Sequence, residues 1–249
     1  MNSEQKLNQN FSRLLPMLAG VIDAKTFQEI EENPTGEIAE AAKLCDALEI
    51  RYDLLPAGVK WSHVAENIRG RFPRALLVGT IRLERDGGKF PTEKSLGREA
   101  LWRDILSAAV KPDFIDIEAE DLDELFPKLA KDFSQSGVRF LVSHHDFQKI
   151  SSTMELENLI QKAKAVRANG FKTACMSSTW GDFEGLYPFI AQNAPDFELF
   201  SLFAMGKTGE ESRLKSLAFG ANLTYCSLGN AVAPGQIPVK IAKENCKNY

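Results

Sequence analysis

The sequence predicts an α/β protein, a single-domain (β/α)8 TIM barrel. Three observations predict it: eight short apolar runs recur along the chain, amphipathic stretches separate them, and the series fits within 249 residues, the usual size of one such barrel. A doubly wound open sheet shows the same alternation, and pattern alone leaves it open.

The runs, taken as strands, are 17–22, 47–51, 75–80, 114–117, 139–143, 171–176, 197–203 and 223–226. Several, such as ALLVGT and RFLVS, are almost continuous hydrophobics, as strands covered on both faces require. Of the intervening helices the clearest is 153–169, with Leu156, Leu159, Ile160, Ala163 and Val166 on one face. Ser152 and Glu155 form a capping box at its start, and Gly170 supplies its stop. No linker, low-complexity tract or short repeat interrupts the series, so residues 1–249 read as one domain, with a frayed tail over 1–10.

Composition narrows the function classes. Hydrophobic residues make up 44% and charged residues 26%, enough for a large core without staples. The net charge of −4 and pI of about 5.6 leave no basic excess to displace counterions from a nucleic-acid backbone. A local basic pocket for a small anion is compatible with that balance. Apolar stretches are too short to span a bilayer, and the opening MNSEQKLNQNF lacks the apolar core of a secretory signal. Neither nucleic-acid nor membrane partners are expected. Cys45, Cys175, Cys226 and Cys246 form no CxxC pair or zinc spacing, and three lie in apolar runs, where a free thiol packs as a small hydrophobe. No metal site is expected, and a reducing, cytoplasmic setting follows.

Barrels of this kind gather their chemistry at the C-terminal ends of the strands. Those ends hold Glu49, Arg51 and Asp53; Arg82 followed by Asp86-Gly87-Gly88; Asp116 and Glu118; His144, His145 and Asp146; and Lys172 inside GFKTACM. FAMGKTGEESR follows strand seven, and Ala233-Pro234-Gly235-Gln236 ends the loop after strand eight. A lysine within an apolar strand is either buried, which disfavours the ammonium and frees a nucleophile toward carbonyls, or sits at the strand entrance and snorkels to solvent. Spacing alone does not choose. His63 lies in a polar helical stretch and reads as a surface residue. Of the adjacent His144 and His145, period-two geometry lets only one face the barrel mouth, where an imidazole suits proton transfer; both can equally serve loop hydrogen bonds. Arg213 opens the helical SRLKSLAF, either as part of an anion site at a helix start or as a solvated helix residue. Gly206-Lys207-Thr208 resembles the tail of a P-loop, but Ser201 stands where that motif needs its first glycine.

Taken together, LEIRYD, GTIR with DGG, FIDIE, VSHHDF, FKTACM, FAMGKTGEESR and APGQI, in this order over nearly the whole chain, resemble the type I 3-dehydroquinate dehydratases, Schiff-base enzymes of the shikimate pathway. SHHDF, the lysine-plus-methionine segment and APGQ together are highly specific. The resemblance implies a homodimeric hydro-lyase that converts 3-dehydroquinate to 3-dehydroshikimate and water without metal or organic cofactor. It implies that Lys172 condenses with the C3 ketone and that His145 moves the proton, with Asp86 as the acidic partner of His145. Arg213 would hold the substrate carboxylate, Glu49, Arg51 and Arg82 would bind or order the hydroxyl side, and Gln236 would close over the ligand. His144 stands where many members carry a non-catalytic residue and has no proton-transfer role.

Two positions depart from the family pattern. Asp86 replaces glutamate and shortens the carboxylate's reach by one methylene. Val232 stands where a lid serine commonly donates to substrate, a loss of roughly 0.5–1.5 kcal/mol. Two other readings share the barrel: a Schiff-base lyase or aldolase for another carbonyl acid, and a protein that senses pathway metabolites without turnover.

Overall fold

The computed structural model describes residues 16–177 and 179–246, so the frayed tail expected over 1–10 lies outside the described residues. The strands are β1 (Met17–Ile22), β2 (Ala47–Arg51), β3 (Leu76–Thr80), β4 (Phe114–Glu118), β5 (Arg139–Asp146), β6 (Gly170–Ser177), β7 (Leu199–Gly206) and β8 (Leu223–Ser227), with a two-residue β9 (Ile237–Pro238) in the final loop. Each of the eight expected runs forms a strand. β5 and β7 each reach three residues further toward their C-terminal ends than expected: β5 through the polar His144, His145 and Asp146, and β7 through Ala204, Met205 and Gly206. The helices are α1 (Ala24–Glu32), α2 (Glu37–Lys43), α3 (Val64–Arg71), α4 (Arg98–Ser107), α5 (Leu122–Ser136), α6 (Thr153–Ala165), α7 (Trp180–Glu184), α8 (Tyr187–Asn193), α9 (Gly209–Ala218) and α10 (Val239–Asn245).

All ladders are parallel, in the order β7-β6-β5-β4-β3-β2-β1-β8-β9. This order advances by one strand throughout and places β8 beside β1, which is barrel order and excludes the doubly wound sheet, whose order reverses at a switch point. Among the described residues no ladder joins β7 to β8. Asn222 stitches that seam instead: its N–H donates to the Phe200 carbonyl (3.1 Å), its side-chain oxygen accepts from the Phe200 N–H (2.8 Å), and its side-chain amide donates to the Glu198 carbonyl (2.8 Å).

Strand alternation sorts the core into two. Met17, Ala19, Val21, Val78, Phe114, Leu141 and Leu199 fill the inside of the barrel. The neighbours that point outward, among them Leu18, Ile22, Leu48, Ile50, Ile115 and Ile117, pack against the helices.

α6 starts where the sequence places it. The Ser152 hydroxyl accepts from the Glu155 N–H (3.3 Å), and the Glu155 carboxylate accepts from the Ser152 N–H (2.7 Å). Its stop differs from the expectation. The helix ends at Ala165, and Arg167 takes the left-handed turn (φ 57°), with Arg167 N–H on the Lys164 carbonyl and Ala168 N–H on that of Ala163. Gly170 instead begins β6, where a Cβ would come within 2.8 Å of the Leu141 Cβ. Among the described residues no helix is long and apolar enough to cross a membrane. The four cysteines are free thiols.

Candidate active site

The carboxyl ends of the strands open onto one cavity, with about 690 Å³ of free space counting the solvent at its mouth. All nine site residues expected from the sequence line it: Glu49, Arg51, Arg82, Asp86, His145, Lys172, Arg213, Val232 and Gln236.

Lys172 sits on β6, in register with Ser143 of β5 and Ser201 of β7, and is 5% exposed. That rules out snorkelling. Its surroundings are not the apolar pocket that the strand's own sequence suggests. Nζ lies 2.8 Å from Glu49 Oε1 and 3.4 Å from Asp116 Oδ2, with the Tyr225 ring centre 3.9 Å away. Buried charges need partners, and this set is closed by Arg82, whose Nη2 donates to Asp116 Oδ2 (2.6 Å) and Nη1 to Ser143 Oγ (2.7 Å). Glu118 lies 3.3 Å from Arg82 Nη1 and accepts from Arg98, which also holds Asp121 (2.6 Å). Burial alone would raise the Asp116 carboxyl, but Arg82 and Lys172 outweigh it and hold it below the ordinary value.

The two histidines part as strand alternation requires. His145 faces the cavity, its ring stacked near Phe147 (centroids 6.4 Å apart, planes at 18°), and its Nδ1 has no hydrogen-bond partner among the described residues. Burial, reinforced by the charges of Arg82 and Lys172, pushes it well below an ordinary imidazole, so the ring is neutral and able to accept a proton. His144 points away, with Nδ1 2.6 Å from Glu120 Oε1. Burial would lower it, but the hydrogen bond and charge of Glu120 prevail and raise it.

Asp86 ends a single 3-10 turn (Glu84–Asp86). Its carboxylate lies 3.3 Å from Arg85 Nε, and no hydrogen bond joins it to His145 among the described residues. Burial, with the charge of Glu118, raises it to about 6. The next residue, Gly87, has φ +78°, a left-handed turn that favours glycine, and it packs against the Phe147 ring. Arg51 is fixed by a two-pronged bond to Asp53 (2.9 and 2.8 Å).

Arg213 lies in the second turn of α9, not the first, because the helix begins at Gly209, ahead of the stretch that looks helical in sequence. It is 1% exposed, stacks over the Phe203 ring (4.2 Å), and donates from Nη1 to the carbonyls of Ala204 (3.1 Å) and Gly235 (2.5 Å). No carboxylate pairs with it among the described residues, and burial lowers it to about 10. A buried guanidinium facing a cavity without a counter-charge is a seat for an anion. In the loop above, Gln236 Oε1 accepts from the Val232 N–H (2.8 Å), so these two lid residues brace each other.

Sequence reasoning noted Asp116 without placing it in the site, and it gave no role to Tyr225 or to Phe203 and Met205, although the last two lie in the FAMGKTGEESR segment. Asp116 could have been found, since alternation sets it on the inner face with Phe114. The others read as core. Among the described residues no group of three or more His, Cys, Asp or Glu side chains is arranged to hold a metal ion.

The family model for type I 3-dehydroquinase matches residues 26–247. A 3-dehydroquinate dehydratase of Methanosarcina acetivorans is 32% identical over 222 residues, covering 86% of this chain and 90% of that protein. Another, of Pyrobaculum aerophilum, is 30% identical over 221 residues, covering 89% and 67%. The barrel superposes on the 3-dehydroquinate dehydratase of Geobacillus kaustophilus with TM-score 0.79 at 22% identity, covering 94% of this chain and 90% of that one. At that identity the likeness speaks to the fold, while the family model and the closer relatives speak to kinship. The chain belongs to the type I 3-dehydroquinase family.

Proposed function

We propose that Lys172 is the nucleophile and His145 the proton carrier of a Schiff-base dehydration of 3-dehydroquinate. The overall reaction is the hydro-lyase step of the family, which yields 3-dehydroshikimate and water in the shikimate pathway. One observation carries the assignment of roles: a buried lysine, a neutral histidine and a guanidinium without a counter-charge line the same cavity.

Lys172 first gives up a proton, for which Glu49 Oε1 at 2.8 Å is the nearest acceptor. The amine adds to the C3 ketone, and the carbinolamine loses its oxygen as water to give an iminium. That cation acidifies C2–H. His145 takes the C2 proton, the electron pair forms an enamine, and the enamine expels the C1 hydroxyl, which leaves as water with the proton His145 returns. A second water hydrolyses the conjugated iminium and restores the amine. Arg213 holds the carboxylate through the guanidinium that nothing else neutralises, and Arg82 with Glu49 fixes the floor on the hydroxyl side. Arg51, clamped by Asp53, lines the same side, and Gln236 with Val232 covers the ligand from the lid. Asp86, with its raised carboxyl, lines the same cavity and serves as the acidic partner of His145. No metal or organic cofactor enters, because the iminium is the electron sink. The working unit is a single-domain homodimer in the cytoplasm, which sedimentation of the purified chain would check.

Borohydride added with 3-dehydroquinate tests the assignment. A reduced adduct on Lys172 and loss of enone formation in Lys172→Ala are the expected results. Substantial turnover by that variant would overturn the mechanism.

A further inference from the structure

Tyr225 stands on β8 with its side chain inside the barrel, 2% exposed, and Nζ of Lys172 rests 3.9 Å from the centre of its ring. Nζ therefore has two kinds of neighbour: the carboxylates of Glu49 and Asp116, and one aromatic face. They act differently on an amine. A carboxylate accepts the hydrogens of the ammonium and competes with an incoming ketone for the nitrogen. The face of a ring attracts positive charge through its quadrupole and has no acceptor atom to take a hydrogen. The Tyr225 hydroxyl is sealed from the cavity and finds no hydrogen-bond partner among the described residues, so what this residue offers the site is its ring.

We propose that Tyr225 is a positioning residue for the Schiff-base lysine: its ring, together with Glu49 and Asp116, fixes Nζ at the floor of the cavity, where the ketone would meet it. This rests on Lys172 being the nucleophile. The ammonium at rest and the iminium after condensation carry the same positive charge at the same nitrogen, so one ring serves both stages. Without it the nitrogen is left to the two carboxylates alone and loses both its fixed aim and one stabiliser of its positive charge.

The test compares the full-length protein with Tyr225→Phe, which keeps the ring face, and with Tyr225→Leu and Tyr225→Met, which keep bulk without it. Borohydride trapping on Lys172 with 3-dehydroquinate is followed across pH, together with kcat and KM. Tyr225→Phe traps within about twofold of the parent, and its Tm is equal or higher because an unsatisfied hydroxyl is gone. Tyr225→Leu and Tyr225→Met lower the plateau trapping rate and kcat about tenfold, with KM changed by less than about threefold. Their trapping profile also moves to lower pH, since the ring attracts only the charged amine. A purely structural role would not move that profile.

Plateau rate and profile unchanged in Tyr225→Leu would overturn the proposal, and so would a loss in Tyr225→Phe as large as in Tyr225→Leu. If the aliphatic variants fail to fold, pentafluorophenylalanine at this position keeps the shape and reverses the ring's quadrupole; trapping as fast as in Tyr225→Phe then overturns it. Absence of any Lys172 adduct in the parent protein brings down the lysine assignment itself, whereas normal trapping in every variant brings down Tyr225 alone.

Discussion

Glu49 Oε1 and Lys172 Nζ meet at 2.8 Å from strands β2 and β6, which stand four places apart around the barrel and 123 residues apart in the chain. The contact joins stability to chemistry, because the carboxylate that balances the buried ammonium is also its nearest proton acceptor. Glu49→Gln keeps the volume and the partner of the Thr80 hydroxyl but removes the charge, leaving Lys172 with Asp116 at 3.4 Å. The expected destabilisation is about 1–3 kcal/mol, read as a Tm lower by about 3–10 °C. Turnover falls about tenfold or more. A variant with both quantities at their original values would mean that the pair is idle.

The adjacent histidines give a second prediction. In a nuclear magnetic resonance titration of ring protons, His145 changes charge well below the ordinary 6.5, held neutral by burial and by the charges of Arg82 and Lys172. His144 changes above it, held by Glu120 against the opposing effect of burial. Glu120→Gln brings the His144 midpoint down and leaves turnover alone. Two coincident midpoints would contradict the separation of the rings.

Asp86 makes stability depend on pH in a stated direction. Its folded-state value, about 6, lies above the 3.8 of an exposed carboxyl, so the folded protein holds this proton more tightly than the unfolded chain. The resulting stability is complete below about pH 4 and is lost as pH rises through 6. Asp86→Asn cannot ionise and escapes that loss. Its Tm relative to the parent is therefore higher at pH 7.5 than at pH 4.5, as thermal melts at both values will measure. A difference that stays flat or reverses would show that Arg85 at 3.3 Å outweighs burial.

Arg213 ties binding to an anion. Arg213→Met removes the one guanidinium in the cavity without a carboxylate partner among the described residues. KM rises about 10- to 100-fold, the worth of a charge-assisted pair of roughly 1.5–3 kcal/mol, while kcat changes less. The product 3-dehydroshikimate raises the melting temperature of the parent and leaves that of the variant nearly unmoved. An unaltered KM would place the carboxylate elsewhere.

Much of this was legible in the chain. Apolar runs separated by 19 to 33 residues give strands within a few residues of their true ends, because burial on both faces is written locally as continuous hydrophobicity. The capping box of α6 was legible for the same reason, since Ser152 and Glu155 act within one turn. Gly170 misled because a glycine after a helical stretch looks like a stop, whereas here the left-handed turn falls on Arg167 and the glycine makes room between β5 and β7. Arg213 misled because Gly209 opens α9 instead of merely preceding it.

The eight strands and the polar groups near their C-terminal ends are written in the sequence, whereas spacing left open whether Lys172 is buried, which of His144 and His145 faces the mouth, and whether Arg213 serves an anion. Only the tertiary structure decided what each inward group meets: that Lys172 rests on Glu49, Asp116 and the ring of Tyr225, that Asp86 leans on Arg85, and that Arg213 has no counter-charge among the described residues. Strand identity follows from neighbours along the chain. Partners across the barrel depend on closure and register, which bring together residues that no local pattern relates.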